Sequence, residues 1–361
     1  MTSPKESQAE PKRTRVALFG VTGYTGLELI EILLRHPHVA LTYFASRRGE
    51  QPVVSDIFPR LRGRCDARTA PEDLNAVAEA ADLALLALPH AVSKAWVPGL
   101  LERGLTVIDL SADYRLKDPA VYARYYGEPH GDEENLAKAV YGLPELYGDE
   151  LRGARLVAVP GCYPTAAVLA VAPLVSWATE RAGAPGVIGE VTVDAKTGVS
   201  GGGRTPTLGF HFPEANESVK PYHVGVHRHQ PEMEQVLSDV AGRPVAVDFV
   251  PHLVPMDRGI LSTAYVYLEG EVSQVAVQAR YEEFYAGQPF VRLRPAGEYP
   301  ATKDVSFTNF CDISVKVLWN REGKTKVACI SAIDNLIKGA AGQAVECLNL
   351  ALGFPRTAGL L

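Results

Sequence analysis

The residues best suited to covalent chemistry lie in Val159-Pro160-Gly161-Cys162-Tyr163-Pro164-Thr165. Leu156 to Val159 reads as a short buried strand and Ala166 to Val175 as an apolar helix, with Cys162 between them. Pro164 suits the first turn of a helix, where its missing N–H is not needed. Cys162 is therefore expected at a helix N-terminus. Free N–H groups and the positive end of the helix dipole stabilise a thiolate there, which predicts a thiol pKa below that of a free cysteine. The same N–H groups can hold an oxyanion. A second cluster is His227-Arg228-His229-Gln230-Pro231-Glu232. Pro231 reads as the first residue of a helix running to about Val240, so both histidines precede it. Histidine titrates near neutrality and is the usual general acid or base. Either His227 or His229 can take that role, with Glu232 orienting it. No cysteine or further histidine stands nearby at metal-ligand spacing, so no metal is expected.

A third group suits a dinucleotide. Val16 to Phe19 is a short apolar strand, followed by Gly20-Val21-Thr22-Gly23-Tyr24-Thr25-Gly26 and an apolar helix that ends before Pro37. Strand, glycine-rich turn and helix in that order let a pyrophosphate approach the backbone and meet the helix N-terminus. Gly20, Thr22, Gly23, Tyr24, Thr25 and Gly26 are the candidate contacts. Leu41 to Ala45 is the second strand, and Ser46-Arg47-Arg48 follows it where an NAD site would carry an acidic residue. A hydroxyl and two cations suit the 2′-phosphate of NADP, though a solvated Arg pair is the competing reading. Asp82 to Leu88 and Thr106 to Leu110 read as further strands, with a helix over Ala91 to Arg103. Pro89, His90 and Ser111 at the strand ends are expected to line the nicotinamide side.

The elements that must hold these groups fall into two halves. Apolar runs such as DLALLAL fit a parallel sheet covered on both faces. Val187 to Asp194, Val245 to Val250, Ile260 to Leu268, Asp312 to Leu318 and Val327 to Ile333 read as strands, with a helix over Ser273 to Tyr285. They suggest a mixed, mainly antiparallel sheet that could also form a subunit interface. Lys196 to Arg204 reads as a mobile, basic, glycine-rich loop in which Lys196, Ser200 and Arg204 could cradle a phosphate. Thr207 to Val226 reads as a long loop. Arg258 is a candidate carboxylate anchor, and Arg115 and Arg228 are further candidate substrate contacts, although Arg115 with Asp113 could equally be a surface pair. His252 reads as structural. Asp334-Asn335 reads as a helix cap, with the final helix returning to the first half and bringing Asn335 near the nicotinamide. The domains are read as 14–160, 161–334, and a C-terminal segment 335–361 packed back on the first.

Composition narrows the class. The chain has 361 residues, 36 Lys plus Arg against 42 Asp plus Glu, and a net charge of −6, which gives no support to nucleic-acid or membrane-surface binding. No apolar run is long enough to span a bilayer, and Met1 to Arg15 is polar and reads as a leader with no secretory signal. The five cysteines contain no CxxC pair, which fits a reducing cytoplasm.

In order, GVTGYTG, ALPH, DLSADYRL, YGLPEL, VPGCYPTA, TGVSGGGR, GVHRHQPE, VPMDRGIL and AIDNLIKGAAGQAVECLN closely resemble the N-acetyl-gamma-glutamyl-phosphate reductase family, from about Arg15 to Phe354. Aspartate-semialdehyde dehydrogenase is a more distant relative. The resemblance implies an α/β protein with a Rossmann-type NADP-binding domain and an α+β catalytic domain. It implies an NADPH-dependent phosphorylating aldehyde dehydrogenase of arginine biosynthesis, and a homodimer or homotetramer is expected. Cys162 would be the nucleophile that forms a thioester, His227 and His229 the acid/base candidates, and the loop before them a mobile element over the site. A sister family reduces N-acetyl-aminoadipyl phosphate, sometimes on a carrier protein, in lysine biosynthesis, and the shared motifs do not separate the two.

Overall fold

A computed structural model describes residues 13–47, 49–180 and 183–361. The leader before Arg13 and Arg48 lie outside the described residues. The first sheet contains β1 (Thr14–Phe19), β2 (Val39–Ala45), β3 (Leu83–Leu86), β4 (Thr106–Asp109), β5 (Val140–Tyr141) and β6 (Leu156–Ala158). Their order is β2-β1-β3-β4-β6-β5, and every neighbouring pair is parallel. The second sheet contains β7 (Val187–Thr197), β8 (Lys220–Pro221), β9 (Val247–Leu253), β10 (Ile260–Glu269), β11 (Val291–Leu293), β12 (Cys311–Arg321) and β13 (Lys324–Ile333). Its order is β11-β12-β13-β10-β7-β9-β8. Of its six pairings four are antiparallel, so it is the mixed, mainly antiparallel sheet that the alternating patterns suggested.

Five helices position the site: α1 (Tyr24–Leu33), α2 (Cys162–Val175), α3 (Gln230–Ala241), α4 (Gln274–Phe284) and α5 (Gly342–Ala351). Helix α2 is apolar all round and buried from Tyr163 to Val175, because it lies between the second sheet and α3. Pro173 inside α2 has no N–H to give Leu169 O. The Tyr285 hydroxyl donates to that carbonyl instead, and the Tyr281 hydroxyl donates to Ala170 O. Arg280 donates to Pro173 O at 2.7 Å. These bonds fix the helix that starts at Cys162. Helix α5 shares a core with the first sheet, where Ala344, Val345 and Leu348 pack among Val16, Leu18, Leu29 and Ile30.

Several boundaries differ from the sequence reading. Helix α2 starts at Cys162 instead of Ala166, with Gly161 as its cap and Pro164 as its third residue. The expected helix over Ala91 to Arg103 is delayed to Val97–Glu102, after a short 3-10 turn. The cause is buried Asp113, which accepts from the N–H groups of Ala91 (2.6 Å) and Lys94 (3.1 Å) and holds Ala91 at φ +65°. Strand β7 runs on through Lys196, so Lys196 belongs to a strand and not to a loop.

Candidate functional site

The glycine turn follows β1. Gly20 has φ +77°, and a Cβ there would come 2.1 Å from Ala87 O at the end of β3. A Cβ on Gly26 would come 2.4 Å from Gly20 O. Only glycine fits either position. Gly23 caps α1, no side chain caps that helix, and Gly23, Tyr24 and Thr25 line a cleft of about 760 Å³. An uncapped helix N-terminus beside a backbone stripped of side chains is suited to a phosphate group. The cleft continues past Pro89, His90 and Leu110 to Val159, Gly161 and Cys162, along the carboxyl ends of β1, β3, β4 and β6. Ligands of doubly wound sheets bind there. Gly20, Thr22 and Asn335 also line it.

At its far end the cleft meets the sulfur. Gly161 has ordinary backbone angles (φ −66°), so its small size is needed for another reason. A Cβ there would come 2.5 Å from Nε2 of His229. The imidazole therefore lies flat against the residue before Cys162. The Nδ1 of His229 is enclosed and makes no hydrogen bond among the described residues. Burial, then the nearby His227, Arg115, His90 and Arg228, push its pKa well below that of an ordinary histidine. His227 accepts from the His229 N–H at 3.1 Å, and burial with His223 and Arg228 pushes it down to about 4. Both rings are neutral at pH 7.

The thiol corrects one expectation. Burial pushes Cys162 up to about 11, outweighing Arg115 and the N–H groups of Tyr163 and Cys162, which pull it down. Cys162 still keeps part of its surface in the cleft, whereas the other four cysteines are buried. The resting site therefore holds a protonated thiol beside neutral imidazoles.

A second cleft of about 470 Å³ opens on the other side of Cys162, lined by Tyr163, Thr197, Phe210, Tyr222 and His227 among others. Cys162, His229, His90, Gly201 and Gly202 line both clefts. One can hold a long phosphorylated cofactor and the other a small substrate, with the sulfur at their junction.

Comparison with known proteins bears on this pair of clefts. The family described as semialdehyde dehydrogenase, NAD binding domain, matches residues 15–154, and semialdehyde dehydrogenase, dimerisation domain, matches residues 162–335. The N-acetyl-gamma-glutamyl-phosphate reductase of Symbiobacterium thermophilum is 47% identical over 352 residues, and that of Geobacter metallireducens 49% identical over 346. Each alignment covers 96% of this chain and 97% of the relative. The chain belongs to the N-acetyl-gamma-glutamyl-phosphate reductase family. The fold is also that of aspartate semialdehyde dehydrogenase II from Vibrio cholerae, solved in complex with ASA (TM-score 0.70, 17% identity, 94% of this chain and 98% of that one). The Candida albicans enzyme, solved with NADP, matches with a TM-score of 0.65 and 14% identity over 94% of this chain and 98% of that one.

Within this reductase-family site, some residues singled out from the sequence sit elsewhere. Glu232 does not orient a histidine. It is buried and accepts from the Gly161 N–H (2.8 Å) and the Tyr141 hydroxyl (2.7 Å), with Arg115 at 3.4 Å, so it ties α3 to the turn before Cys162. Arg115 is no surface residue: it is buried, donates to Val159 O and Leu110 O, and lines the larger cleft. Ser111 is wholly buried and donates to Asp109 at 2.7 Å, so it does not reach the cleft. Lys196 pairs with Asp194 at 2.9 Å on the strand. Arg258 bonds Glu28 of α1, with Asp334 at 3.3 Å, and clasps the two halves instead of facing a ligand. Arg47 pairs with Glu72 at 2.8 Å at the exposed end of β2. Ser46 beside it is buried. Ser200 and Arg204 line the larger cleft, and Arg204 donates across it to Thr22 O at 3.1 Å. Arg228 is exposed over the Tyr126 ring and lines the smaller cleft. Asn335 accepts from the Gly259 N–H at 2.7 Å, whereas the helix cap is Asp334, which accepts from Leu336 and Ile337.

The sequence reading missed Tyr163, Tyr222, Phe210 and Gly339 as site residues. Tyr222 donates to the Tyr163 hydroxyl at 3.0 Å and joins the long loop to the start of α2. Tyr163 carried a signal, since it stands beside Cys162. The other three lie in segments whose period identifies no face.

Proposed function

We propose that this protein catalyses the NADPH-dependent reduction of N-acetyl-gamma-glutamyl phosphate to N-acetyl-glutamate semialdehyde and phosphate in arginine biosynthesis. Family membership over nearly the whole chain supports the substrate. The observation that carries the chemistry is the meeting of two clefts at Cys162 and His229. The absence of room for a Cβ at Gly20 and Gly26, beside the uncapped start of α1, fits a dinucleotide phosphate.

In this reading the Cys162 sulfur attacks the acyl-phosphate carbonyl as its proton passes to neutral His229. A raised thiol pKa and a lowered imidazole pKa make that transfer costly at rest, so it occurs in concert with attack. The N–H groups of Cys162 and Tyr163 hold the oxyanion. The carbon–oxygen bond to phosphate breaks, the phosphate takes the His229 proton, and a thioester is left on Cys162. NADPH, when bound, supplies hydride to the thioester carbon. The hemithioacetal then collapses to aldehyde and thiolate, and a solvent proton restores the thiol through His229. His227 receives the His229 backbone N–H and positions it. Arg228, which lines the smaller cleft, holds an anionic group of the substrate, and Arg115, whose three nitrogens go to Val159 O, Leu110 O and Glu232, fixes the turn before Cys162. The dimerisation-domain match supports a homo-oligomer, and five cysteines without a disulfide support the cytoplasm.

Purified protein assayed with NADPH against N-acetyl-gamma-glutamyl phosphate and N-acetyl-aminoadipyl phosphate tests the reading. The shorter substrate is expected to turn over with the higher kcat/KM. Preference for the aminoadipyl compound, or no turnover of either, would overturn it.

A further inference from the structure

Lys338 has no part in the scheme above, yet it is wholly buried. Its ammonium donates to Glu145 Oε1 at 2.7 Å and to Glu346 Oε2 at 2.8 Å. Arg356 contacts the same two carboxylates, and Asn309 donates to Glu346 at 2.8 Å. Two cations thus face two anions, and the quartet is neutral. Burial alone would favour loss of the Lys338 proton, but Glu145 and Glu346 outweigh it and hold the charge. A buried ion group of this kind adds little stability over apolar packing, so the geometry it fixes is the more telling property.

That geometry concerns the next residues. Ile337–Ala341 forms a π-turn in which Gly339 N–H bonds Asp334 O and Ala341 N–H bonds Leu336 O, each at 2.9 Å and five residues back. Such turns are rare and frequent at functional sites. Leu336, Gly339 and Ala340 line the larger cleft. A Cβ on Gly339 would come 2.7 Å from the Cβ of Cys162. The turn is therefore part of the cleft wall beside the sulfur, and Lys338 leaves it for the buried quartet. Glu145 belongs to the YGLPEL segment, whose sequence alone gave it no role.

We propose that Lys338 is a positioning residue: through Glu145, Glu346 and Arg356 it holds the π-turn that sets the approach of the cofactor to the carbon carried by Cys162. This rests on Cys162 being the residue that is acylated. Lys338→Met alone strands buried carboxylates and is at risk of not folding. Lys338→Met combined with Glu145→Gln keeps the charge balance and leaves Arg356 paired with Glu346. Two rates are measured on the folded double variant: acylation of the thiol by N-acetyl-gamma-glutamyl phosphate without NADPH, and reduction with saturating NADPH. Acylation is expected within about threefold of the parent, while reduction falls about tenfold or more, the scale of a misplaced reacting pair. Reduction within about threefold of the parent, or an equal fall in both rates, overturns the proposal. Failure of the parent protein itself to acylate at Cys162 would instead count against the proposed function.

Discussion

The two ends of the larger cleft are built in opposite ways. The glycine end comes from one continuous stretch, Gly20 to Gly26, and works through absent side chains and free backbone N–H groups. The sulfur end is assembled from distant pieces: the turn at Gly161, Arg115 after β4, the histidines before α3, and the π-turn before α5. It works through side chains that reach across from distant segments, as where Glu232 accepts from the backbone N–H of Gly161, 71 positions away. A backbone site can be read from a short motif, whereas a side-chain site depends on how distant segments meet. The two ends should also fail differently when altered.

The largest effects belong at the sulfur end. Cys162→Ser is expected to fold and bind NADPH but to lose roughly four orders of magnitude or more in turnover, as loss of a nucleophile does. His229→Asn should lower kcat about a hundredfold to ten-thousandfold, and His227→Asn less, because only His229 lies against Gly161. Equal losses in the two histidine variants would show that the pair acts as one unit.

Glycine substitutions separate the two ends. Gly161→Ala drives a methyl group into the His229 ring, and a displacement of that order costs about a hundredfold in kcat. Gly23→Ala meets no protein atom nearer than 3.6 Å, so the fold and kcat should stay within about threefold of the parent, and any loss should fall on KM for NADPH, because Gly23 lines the cleft. A large loss of kcat or of folding from Gly23→Ala, with Gly161→Ala tolerated, would show that the wrong glycines are held to be sterically required.

Thiol reactivity gives a smaller and graded signal. A pKa raised to about 11 keeps Cys162 protonated in the resting enzyme, so the thiolate fraction grows with pH. Iodoacetamide modification should speed up about tenfold per unit from pH 7 to about pH 10. A rate already level by pH 8 would mean that the helix N-terminus prevails over burial. A modest effect is expected at the end of β2. Arg47 is exposed and already paired with Glu72, so Arg47→Ala should raise KM for NADPH about tenfold or less, with little change for NADH. An equal rise for both cofactors would remove Arg47 from 2′-phosphate recognition.

The parallel and mixed sheets were legible because burial on two faces and on one face leave different patterns, as in DLALLAL and VIGEVTVD. The glycine turn was legible because its seven residues are contiguous. Lys196 was misread because the apolar alternation of β7 continues past Asp194 into a stretch whose glycines suggested a loop. Arg258 and Glu232 were misread because their partners, Glu28 and Gly161, are far away in sequence and a charge does not reveal what it faces. The thiol pKa was misread because a helix N-terminus is visible in sequence and the crowding around the sulfur is not.

In the proposed reaction the carbonyl carbon of the substrate is carried on Cys162 at the junction of the two clefts. That placement is tested most directly by mixing the protein with N-acetyl-gamma-glutamyl phosphate in the absence of NADPH, quenching in acid, and measuring peptide masses. One N-acetyl-glutamyl group is expected on the peptide carrying Cys162, and it should disappear when NADPH is added. An acyl group on Cys65, Cys311, Cys329 or Cys347, or no acyl group in a protein that turns over, would contradict that placement.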